Sequence, residues 1–360
     1  MYRIIKFLII ACICSLFIKC DTGLAGLKGE WNVYEVKKYE VPTPSVMEIV
    51  KEKYLYTGGD SGLIIYDISN PPVLSEINRN VTDAGINDMV IDTNKNRLYL
   101  LTSDELIIMN IEEPALPVEI KRITHIGGER IKKLKNFLFI GDTKYTPSGT
   151  DTVILIIGSI GSIDSFRLMS RYLLYASDPC YGLTDIDGYD TLLFVGTEDS
   201  GVYILDVAVP ANPKKVALLQ RYSRYEVNIC NPRCLKINYP FLYIGESLYI
   251  YNVTNPSEPQ FIGQSECINK KKAGGTSSII EVCYSLTLTG NYLLVGADNG
   301  PYSGLVVCDV STPNKIIEIG YSLDSHRAAW SPVMKNSYVY AGCGGIIIYK
   351  VSLNIQEEGK

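Results

Sequence analysis

Residues 54–72 read YLYTGGDSGLIIYDISNPP. This stretch begins with an aromatic-rich run, turns at Gly and Asp, continues as a second apolar run that ends at Asp67, and then reaches a pair of prolines. Runs of aromatic and β-branched residues bounded by Gly, Asp, Asn and Pro are typical of short strands joined by tight turns. The stretch therefore predicts two neighbouring strands of a small antiparallel sheet.

The same pattern recurs along the chain, which makes it a structural repeat. The spacing of roughly 40–55 residues suits a propeller blade of four short strands, and no segment shows a sustained helical period. One such sheet cannot bury both of its faces, whereas blades packed around an axis can. The sequence therefore predicts an all-β protein, a seven-bladed β-propeller over residues 30–353. The seven copies begin at Tyr54, Leu98, Phe137, Leu192, Phe241, Tyr292 and Tyr338.

The two ends of the repeat region predict how the ring closes. The last copy runs out after its third strand, near Val351, so it lacks an outer strand. A strand-like segment, WNVYEVKKYEV at 31–41, precedes the first copy. We expect this N-terminal strand to complete the last blade, which leaves residues 354–360 as a C-terminal tail.

Residues 1–19 are typical of a signal peptide. Arg3 and Lys6 precede an apolar stretch, 7–18, that is too short to span a bilayer. We therefore expect the chain to be exported.

Cys20 follows the apolar stretch, and polar residues follow the cysteine. This arrangement is similar to a bacterial lipoprotein signal, so we expect lipidation at Cys20, with 20–29 as an anchor or linker. Such a protein would lie at the cell envelope, in the outer membrane or at the cell surface. Lys19 stands where these signals usually have a small residue, so plain secretion, a periplasmic location or an uncleaved anchor stays open.

Several copies resemble a known family of repeats. The segments GLIIYDISNPP (62–72), GVYILDVAVPANP (201–213) and LYIYNVTNPSEP (248–259) resemble the repeats of bacterial LVIVD-repeat propeller proteins, many of which have lipoprotein signals. The resemblance spans about residues 30–352. It implies the fold, but it brings no shared active site.

The repeated aspartates are candidate metal ligands or catalytic carboxylates, yet their repetition favours a structural role. Asp beside Ser, Asn or Pro commonly caps a turn by accepting hydrogen bonds from nearby backbone N–H groups. We therefore predict no metal site and no cofactor. The aspartates in question are Asp67, Asp206 and Asp309 at strand ends, and Asp60, Asp199 and Asp298 in the preceding turns.

The connections that lead into each blade carry unrepeated polar residues, and in propellers these connections rim the central channel. Arginines with aromatic neighbours suit an anionic or carbohydrate ligand. The alternative is that they form only the ordinary polar rim of a propeller. The candidate ligand funnel consists of Asn87, Glu129, Arg130, Tyr181, Asn231, Arg233, His326, Arg327 and Trp330.

Seven cysteines lie beyond Cys20, and in an oxidising compartment they favour disulfides. Cys267 and Cys283 would close a lysine-containing insertion, and Cys180 would reach Cys230 or Cys234. Zinc is the alternative, but Cys230 and Cys234 lack a second cysteine pair. Cys308, within an apolar strand, is expected to be a buried thiol.

Binding or scaffolding is the function that these features favour, with an unknown protein, peptide or glycan as partner and contact with a membrane only through the lipid. The net charge of −5 argues against nucleic acid. Catalytic motifs are absent, so no catalytic residue is assigned. One alternative is a propeller-type hydrolase or lyase with its site in the channel, and another is a purely architectural envelope component.

Overall fold

The structure, a computed structural model, describes residues 32–42, 44, 46–51, 53–80, 85–145, 151–161, 165–177, 182–198, 200–219, 232–265, 282–298, 303–325 and 328–352. The described residues form 28 strands in seven four-stranded antiparallel sheets, with no helix among them. The expected signal peptide, the anchor at Cys20 and the tail at 354–360 lie outside these residues.

The blades are numbered in chain order, and within each blade the strands run from the channel outward. Blade 1 contains β2 (Val46–Val50), β3 (Tyr54–Gly59), β4 (Gly62–Asp67) and β5 (Ser75–Asn80). Blade 2 contains β6 (Asp88–Asp92), β7 (Arg97–Leu101), β8 (Glu105–Asn110) and β9 (Val118–Thr124). Blade 3 contains β10 (Arg130–Leu134), β11 (Phe137–Lys144), β12 (Asp151–Ser159) and β13 (Arg167–Ser177).

The second half of the ring repeats this order. Blade 4 contains β14 (Leu183–Tyr189), β15 (Leu192–Thr197), β16 (Gly201–Asp206) and β17 (Lys214–Leu219). Blade 5 contains β18 (Cys234–Asn238), β19 (Phe241–Gly245), β20 (Tyr249–Asn252) and β21 (Gln260–Gln264). Blade 6 contains β22 (Val282–Thr289), β23 (Tyr292–Asp298), β24 (Ser303–Asp309) and β25 (Ile317–Ser325). Blade 7 contains β26 (Trp330–Lys335), β27 (Tyr338–Gly342), β28 (Ile346–Ser352) and β1 (Asn32–Tyr39).

The inner strands β2, β6, β10, β14, β18, β22 and β26 contact one another in sequence, and β26 contacts β2, so the ring is closed. The predicted seven-bladed β-propeller is confirmed.

Blade 7 is built from both ends of the chain, as the sequence predicted. Strand β1 pairs antiparallel with β28, from Asn32 opposite Ser352 to Tyr39 opposite Ile346. The hydroxyl of Tyr39 then donates to the Pro72 carbonyl at 3.0 Å and accepts from the N–H of Leu74 at 2.9 Å. The closing strand is therefore joined to blade 1 as well.

Glycine recurs as the fifth residue of the second strand because the connection into the next blade packs against it. A Cβ placed on Gly296 would lie 2.0 Å from the carbonyl oxygen of Ala329, which leads into blade 7. No side chain fits at that distance, so close packing between blades requires glycine here. The equivalent glycines are Gly58, Gly141, Gly196, Gly245 and Gly342.

The aspartates at the ends of the third strands cap turns, as the sequence predicted. Asp67 accepts from the N–H of Ser69 at 2.7 Å, Asp206 from Ala208 at 2.8 Å, and Asp309 from Ser311 at 2.7 Å. The hydroxyl and the backbone N–H of Ser69 lower the pKa of Asp67, because both stabilise the carboxylate. These carboxylates therefore stabilise the turn that follows the third strand in blades 1, 4 and 6.

Candidate functional site: the central channel

All seven inner strands enclose one channel, with a cavity volume of about 270 Å³. Alternate side chains of a strand point to the same side, so every inner strand contributes residues to the wall. A second cavity of about 280 Å³ opens between blades 1 and 2. Glu48 and Val90 line both cavities, so they form the partition between the two spaces.

The structure brings four of the predicted funnel residues into this channel: Asn87, Arg130, Arg233 and Trp330. Glu129 lies beside the channel but does not line the cavity. Its carboxylate accepts a hydrogen bond from the Thr143 hydroxyl at 3.1 Å, and burial raises its pKa. The other predicted funnel residues, Tyr181, Asn231, His326 and Arg327, lie outside the described part of the chain.

Arg233, Tyr284 and Trp330 form a cluster on the channel wall. The guanidinium of Arg233 lies 4.8 Å from the ring centroid of Tyr284, and the Tyr284 and Trp330 centroids are 5.3 Å apart. Trp330 is 39% exposed. Among the residues that the structure describes, no carboxylate forms an ion pair with Arg233, whose guanidinium lines the cavity beside the Tyr284 ring.

Two aspartates in the same wall tie neighbouring blades together. Asp88 accepts the N–H groups of Met89 and Ile131, both at 2.9 Å. Burial raises the pKa of Asp88 to about 6, against the opposing effects of Arg130 and of these two hydrogen bonds. Its oxygens are engaged by the backbone, which makes Asp88 a structural member of the wall.

Asp185 repeats this arrangement two blades further on. It accepts the N–H groups of Ile186 at 2.8 Å and of Leu235 at 2.7 Å. Burial raises its pKa, and the nearby Arg130 opposes that shift. Arg130 thus interacts with both aspartates, whereas no carboxylate within the described ranges pairs with Arg233.

Asp187, two residues further along the same strand, forms ion pairs with two lysines. Lys132 donates to its carboxylate, Lys236 lies 3.7 Å away, and the N–H of Ile237 donates to it at 2.9 Å. Burial alone would raise the pKa of Asp187, but the two lysines outweigh burial and lower it. Asp187 is therefore a buried, ionised anchor for two cations.

Glu48 is a carboxyl group that lines the same cavity as Asp187. Burial raises its pKa to about 7, and Asp88 adds to the shift, while Lys236 and Lys132 oppose it. Glu48 thus changes its protonation state near neutral pH, whereas Asp187 stays ionised. Two carboxyl groups in one cavity whose pKa values are shifted in opposite directions can divide the roles of acid and base.

Several of these channel residues were not identified from the sequence: Glu48, Lys132, Asp185, Asp187, Lys236 and Tyr284. A signal was present, because the inner strands contain charges at alternating positions, as in RIKKL (130–134) and LTDIDGY (183–189). Such alternation ordinarily marks a solvent-facing side of a sheet. In a propeller that side faces the channel.

None of the four described cysteines forms a disulfide: Cys234, Cys283, Cys308 and Cys343 are buried thiols. The burial predicted for Cys308 is confirmed. Cys234 and Cys283 are therefore not joined in this structure to their predicted partners, Cys180 and Cys267, which with Cys230 lie outside the described residues. Instead, the thiol of Cys234 lies 3.4 Å from the carbonyl oxygen of Cys283.

Within the described ranges, no group of three or more His, Cys, Asp or Glu side chains is placed to hold a metal ion. The same ranges contain no helix long and apolar enough to cross a membrane.

The fold and the channel define the class of protein as a seven-bladed β-propeller. The chain carries LVIVD repeats, which the family model for that repeat matches at residues 46–82 and 283–323. These matches fall on blades 1 and 6. A search of the curated proteins gives no match.

Solved structures similar to this one share its fold. The computationally designed Ika8 protein is 12% identical with a TM-score of 0.53, over 88% of this chain and 98% of that chain. A protein from Lactobacillus plantarum is 13% identical with a TM-score of 0.54, over 78% and 86%. A chain of the mitotic checkpoint complex is 9% identical with a TM-score of 0.60, over 92% and 98%. At these identities the similarity concerns the fold alone.

Proposed function

We propose that this propeller is an exported, lipid-anchored binding module that captures a protein, peptide or glycan through an anionic group at the channel. The observation that carries the proposal is Arg233, which faces the cavity over Tyr284 and beside Trp330 without a described carboxylate partner. A guanidinium in a concave wall, with no ion-pair partner among the described carboxylates, favours a carboxylate or phosphate ligand. The aromatic pair offers a flat surface on which the rest of the ligand can pack.

The test of this site uses the mature chain without Cys20 and immobilised arrays of acidic and neutral glycans and peptides. We expect the chain to retain acidic members only, and Arg233→Ala to weaken their binding by about tenfold or more. Arg79→Ala is the matched control, because Arg79 pairs with Glu76 on an outer strand at 3.0 Å, away from the channel. Equal retention of neutral and acidic members, or unchanged binding by Arg233→Ala, would refute the site.

Export and anchoring are proposed from the leader sequence and have a separate test. Substituting Cys20→Ala is expected to move the protein from the membrane fraction to the soluble envelope fraction. A Cys20→Ala protein that stays membrane-bound would contradict lipidation at this residue. The outcome is independent of the ligand experiment.

Glu48 favours a second candidate function, a hydrolase or lyase with its site in the channel. A carboxyl group with a pKa near 7, in the same cavity as the ionised Asp187, has the properties of a general acid. Mass spectrometry of an acidic array member after incubation with the protein tests this function. Turnover that Glu48→Gln abolishes without weakening binding would establish catalysis, and an unaltered ligand would leave binding as the function.

A further inference from the structure

We infer that Cys234 and Cys283 are a site of oxidation, at which a disulfide joins blade 5 to blade 6. The structure shows the reduced form of this pair. Cys234 is the first residue of β18 and Cys283 is the second residue of β22. These are neighbouring inner strands, so a bond between the two cysteines would cross from one blade to the next.

The two side chains share one buried space. Cys234 is 4% exposed and Cys283 is fully buried, and the Cys234 thiol lies 3.4 Å from the Cys283 carbonyl oxygen. A Cβ on Gly245 would stand 2.1 Å from the sulfur of Cys234 and 3.1 Å from the Cβ of Cys283. Glycine at position 245 is thus what leaves room for this pair.

This pairing differs from the pairings that chain order suggests. The pairings expected from chain order join Cys283 to Cys267, and Cys180 to Cys230 or Cys234. The structure instead places the Cys234 thiol beside the carbonyl oxygen of Cys283. The Cys234 thiol already lies beside the backbone of Cys283, so side-chain rotation is the movement that the bond requires. The S–S bond is about 2 Å long, so the two sulfurs must come together along the blade boundary.

The protonation and the accessibility of the two thiols determine when the disulfide forms. Burial raises the pKa of the Cys234 thiol, and the neighbouring Cys283 thiol adds to this shift. The thiolate is the attacking species, and a raised pKa keeps the thiol protonated. The two cysteines are therefore oxidised slowly once the propeller has assembled. Oxidation therefore takes place as the blades assemble, while the thiols are still accessible.

The oxidant is the disulfide of a thiol–disulfide oxidoreductase or of oxidised glutathione. One cysteine thiolate attacks that disulfide and forms a mixed disulfide, and the second cysteine then displaces the reduced oxidant. Two thiol protons and two electrons leave the protein, and the oxidant departs as two thiols. In the cell this step requires the oxidising compartment that export, as proposed above, would provide.

The bond would act on the proposed ligand site as well. Arg233 directly precedes Cys234, and Tyr284 directly follows Cys283. Each residue of the cation–π pair is therefore adjacent in the chain to one of the two cysteines. A covalent link between the cysteines would fix the separation of Arg233 and Tyr284 before a ligand arrives.

The test refolds the full chain in a buffer of reduced and oxidised glutathione, then alkylates it in denaturant without reductant and maps the peptides. Refolding in vitro removes the dependence on export, so a failure of export cannot be mistaken for a failure of the cysteine pair. We expect a peptide that joins Cys234 to Cys283 and disappears after reduction. Substituting Cys234→Ser should leave Cys283 open to alkylation, whereas Cys308→Ser should leave the cross-linked peptide unchanged.

A thermal measurement gives a second readout. Reductant present during refolding is expected to lower the Tm of the wild-type protein by several degrees and to leave the Tm of Cys234→Ser unchanged. Complete alkylation of both cysteines after oxidative refolding would overturn the proposal. A disulfide from Cys283 to Cys267, or from Cys234 to Cys180 or Cys230, would overturn it as well.

Discussion

Asp185, on the inner strand of blade 4, accepts the backbone N–H of Leu235, on the inner strand of blade 5, at 2.7 Å. The bond spans a boundary at which no strand of one blade pairs with a strand of the next. Asp88 makes the corresponding bond to Ile131 between blades 2 and 3. Ser331 does so between blades 7 and 1 by accepting the N–H of Met47 at 2.9 Å. Side-chain acceptors thus add to the backbone hydrogen bonds, ion pairs and apolar packing that join neighbouring blades.

Replacing Asp185 should therefore destabilise the ring. Asp185→Ala leaves the buried N–H of Leu235 without this acceptor and removes one of the carboxylates that interact with Arg130, so we expect a loss of about 2 kcal/mol in the free energy of unfolding. Urea unfolding followed by tryptophan fluorescence measures this loss. Asp104→Ala is the control, because the Asp104 side chain is 68% exposed and its partner, His125, is exposed too. Equal midpoints for the two variants would contradict a structural role for Asp185.

The raised pKa of Glu48 makes stability depend on pH. Between its usual value of 4.5 and about 7, the folded protein keeps a proton on Glu48 that the unfolded chain has lost. Stability therefore falls as pH rises through this window and levels off above it. Glu48→Gln cannot ionise, so it should be more stable than the wild type at pH 8, by about 2 kcal/mol.

The measurement for Glu48 is thermal unfolding of both proteins at pH 5 and at pH 8. Asp88, with a pKa near 6, contributes a similar fall to both proteins, so the difference between the two pH profiles isolates Glu48. Parallel profiles would show that Glu48 has an ordinary pKa. They would also remove the basis of the catalytic alternative.

Gly296 offers a test of the packing between blades. Gly296→Ala would place a methyl group 2.0 Å from the carbonyl oxygen of Ala329, so the entry to blade 7 must shift. We expect a loss of about 3 kcal/mol or a failure to fold. Gly263→Ala is the matched control, since a Cβ there meets no atom within 4 Å, and it should change stability by about 0.5 kcal/mol or less. A Gly296→Ala protein as stable as this control would show that the two blades are loosely packed.

Tyr39 offers a test of ring closure. Tyr39→Phe removes the hydroxyl that bonds Pro72 and Leu74 of blade 1 but keeps the aromatic ring. The cost should be about 1–2 kcal/mol, measured by chemical denaturation. Tyr34→Phe, on the same strand but 48% exposed, should have no measurable effect. A larger loss for Tyr34→Phe than for Tyr39→Phe would contradict the proposed contribution of the closing strand.

The fold was predictable because the features that define a blade are local. The Gly/Asp turn between the second and third strands and the Pro turn after Asp67 repeat with little change, so the number of blades follows from the sequence. Ring closure followed as well, because a lone strand at one end, Asn32–Tyr39, matched a missing strand at the other.

The channel was less predictable because it is assembled from the least repeated strand of each blade. Arg233 and Trp330 were found from their place in the connections, but Tyr284 gave no signal as their neighbour. Lys132 and Asp187 lie 55 residues apart in the sequence and meet only when blades 3 and 4 stand side by side. Contacts of this kind depend on the radius and register of the ring, which the repeat pattern does not specify.

The direction of β1 decides how a tethered ring would be oriented. Tyr39 lies next to Gly345, in the turn that shares a face with the connections into the blades, so Asn32 and Ser352 lie at the opposite face. A linker that enters at Asn32 is therefore attached to the face opposite Arg233 and Trp330. A propeller anchored through Cys20 would therefore point the channel entrance, with Arg233 and Trp330, away from the membrane. A fusion partner joined directly ahead of Asn32 or after Ser352 would likewise lie on the face opposite that entrance.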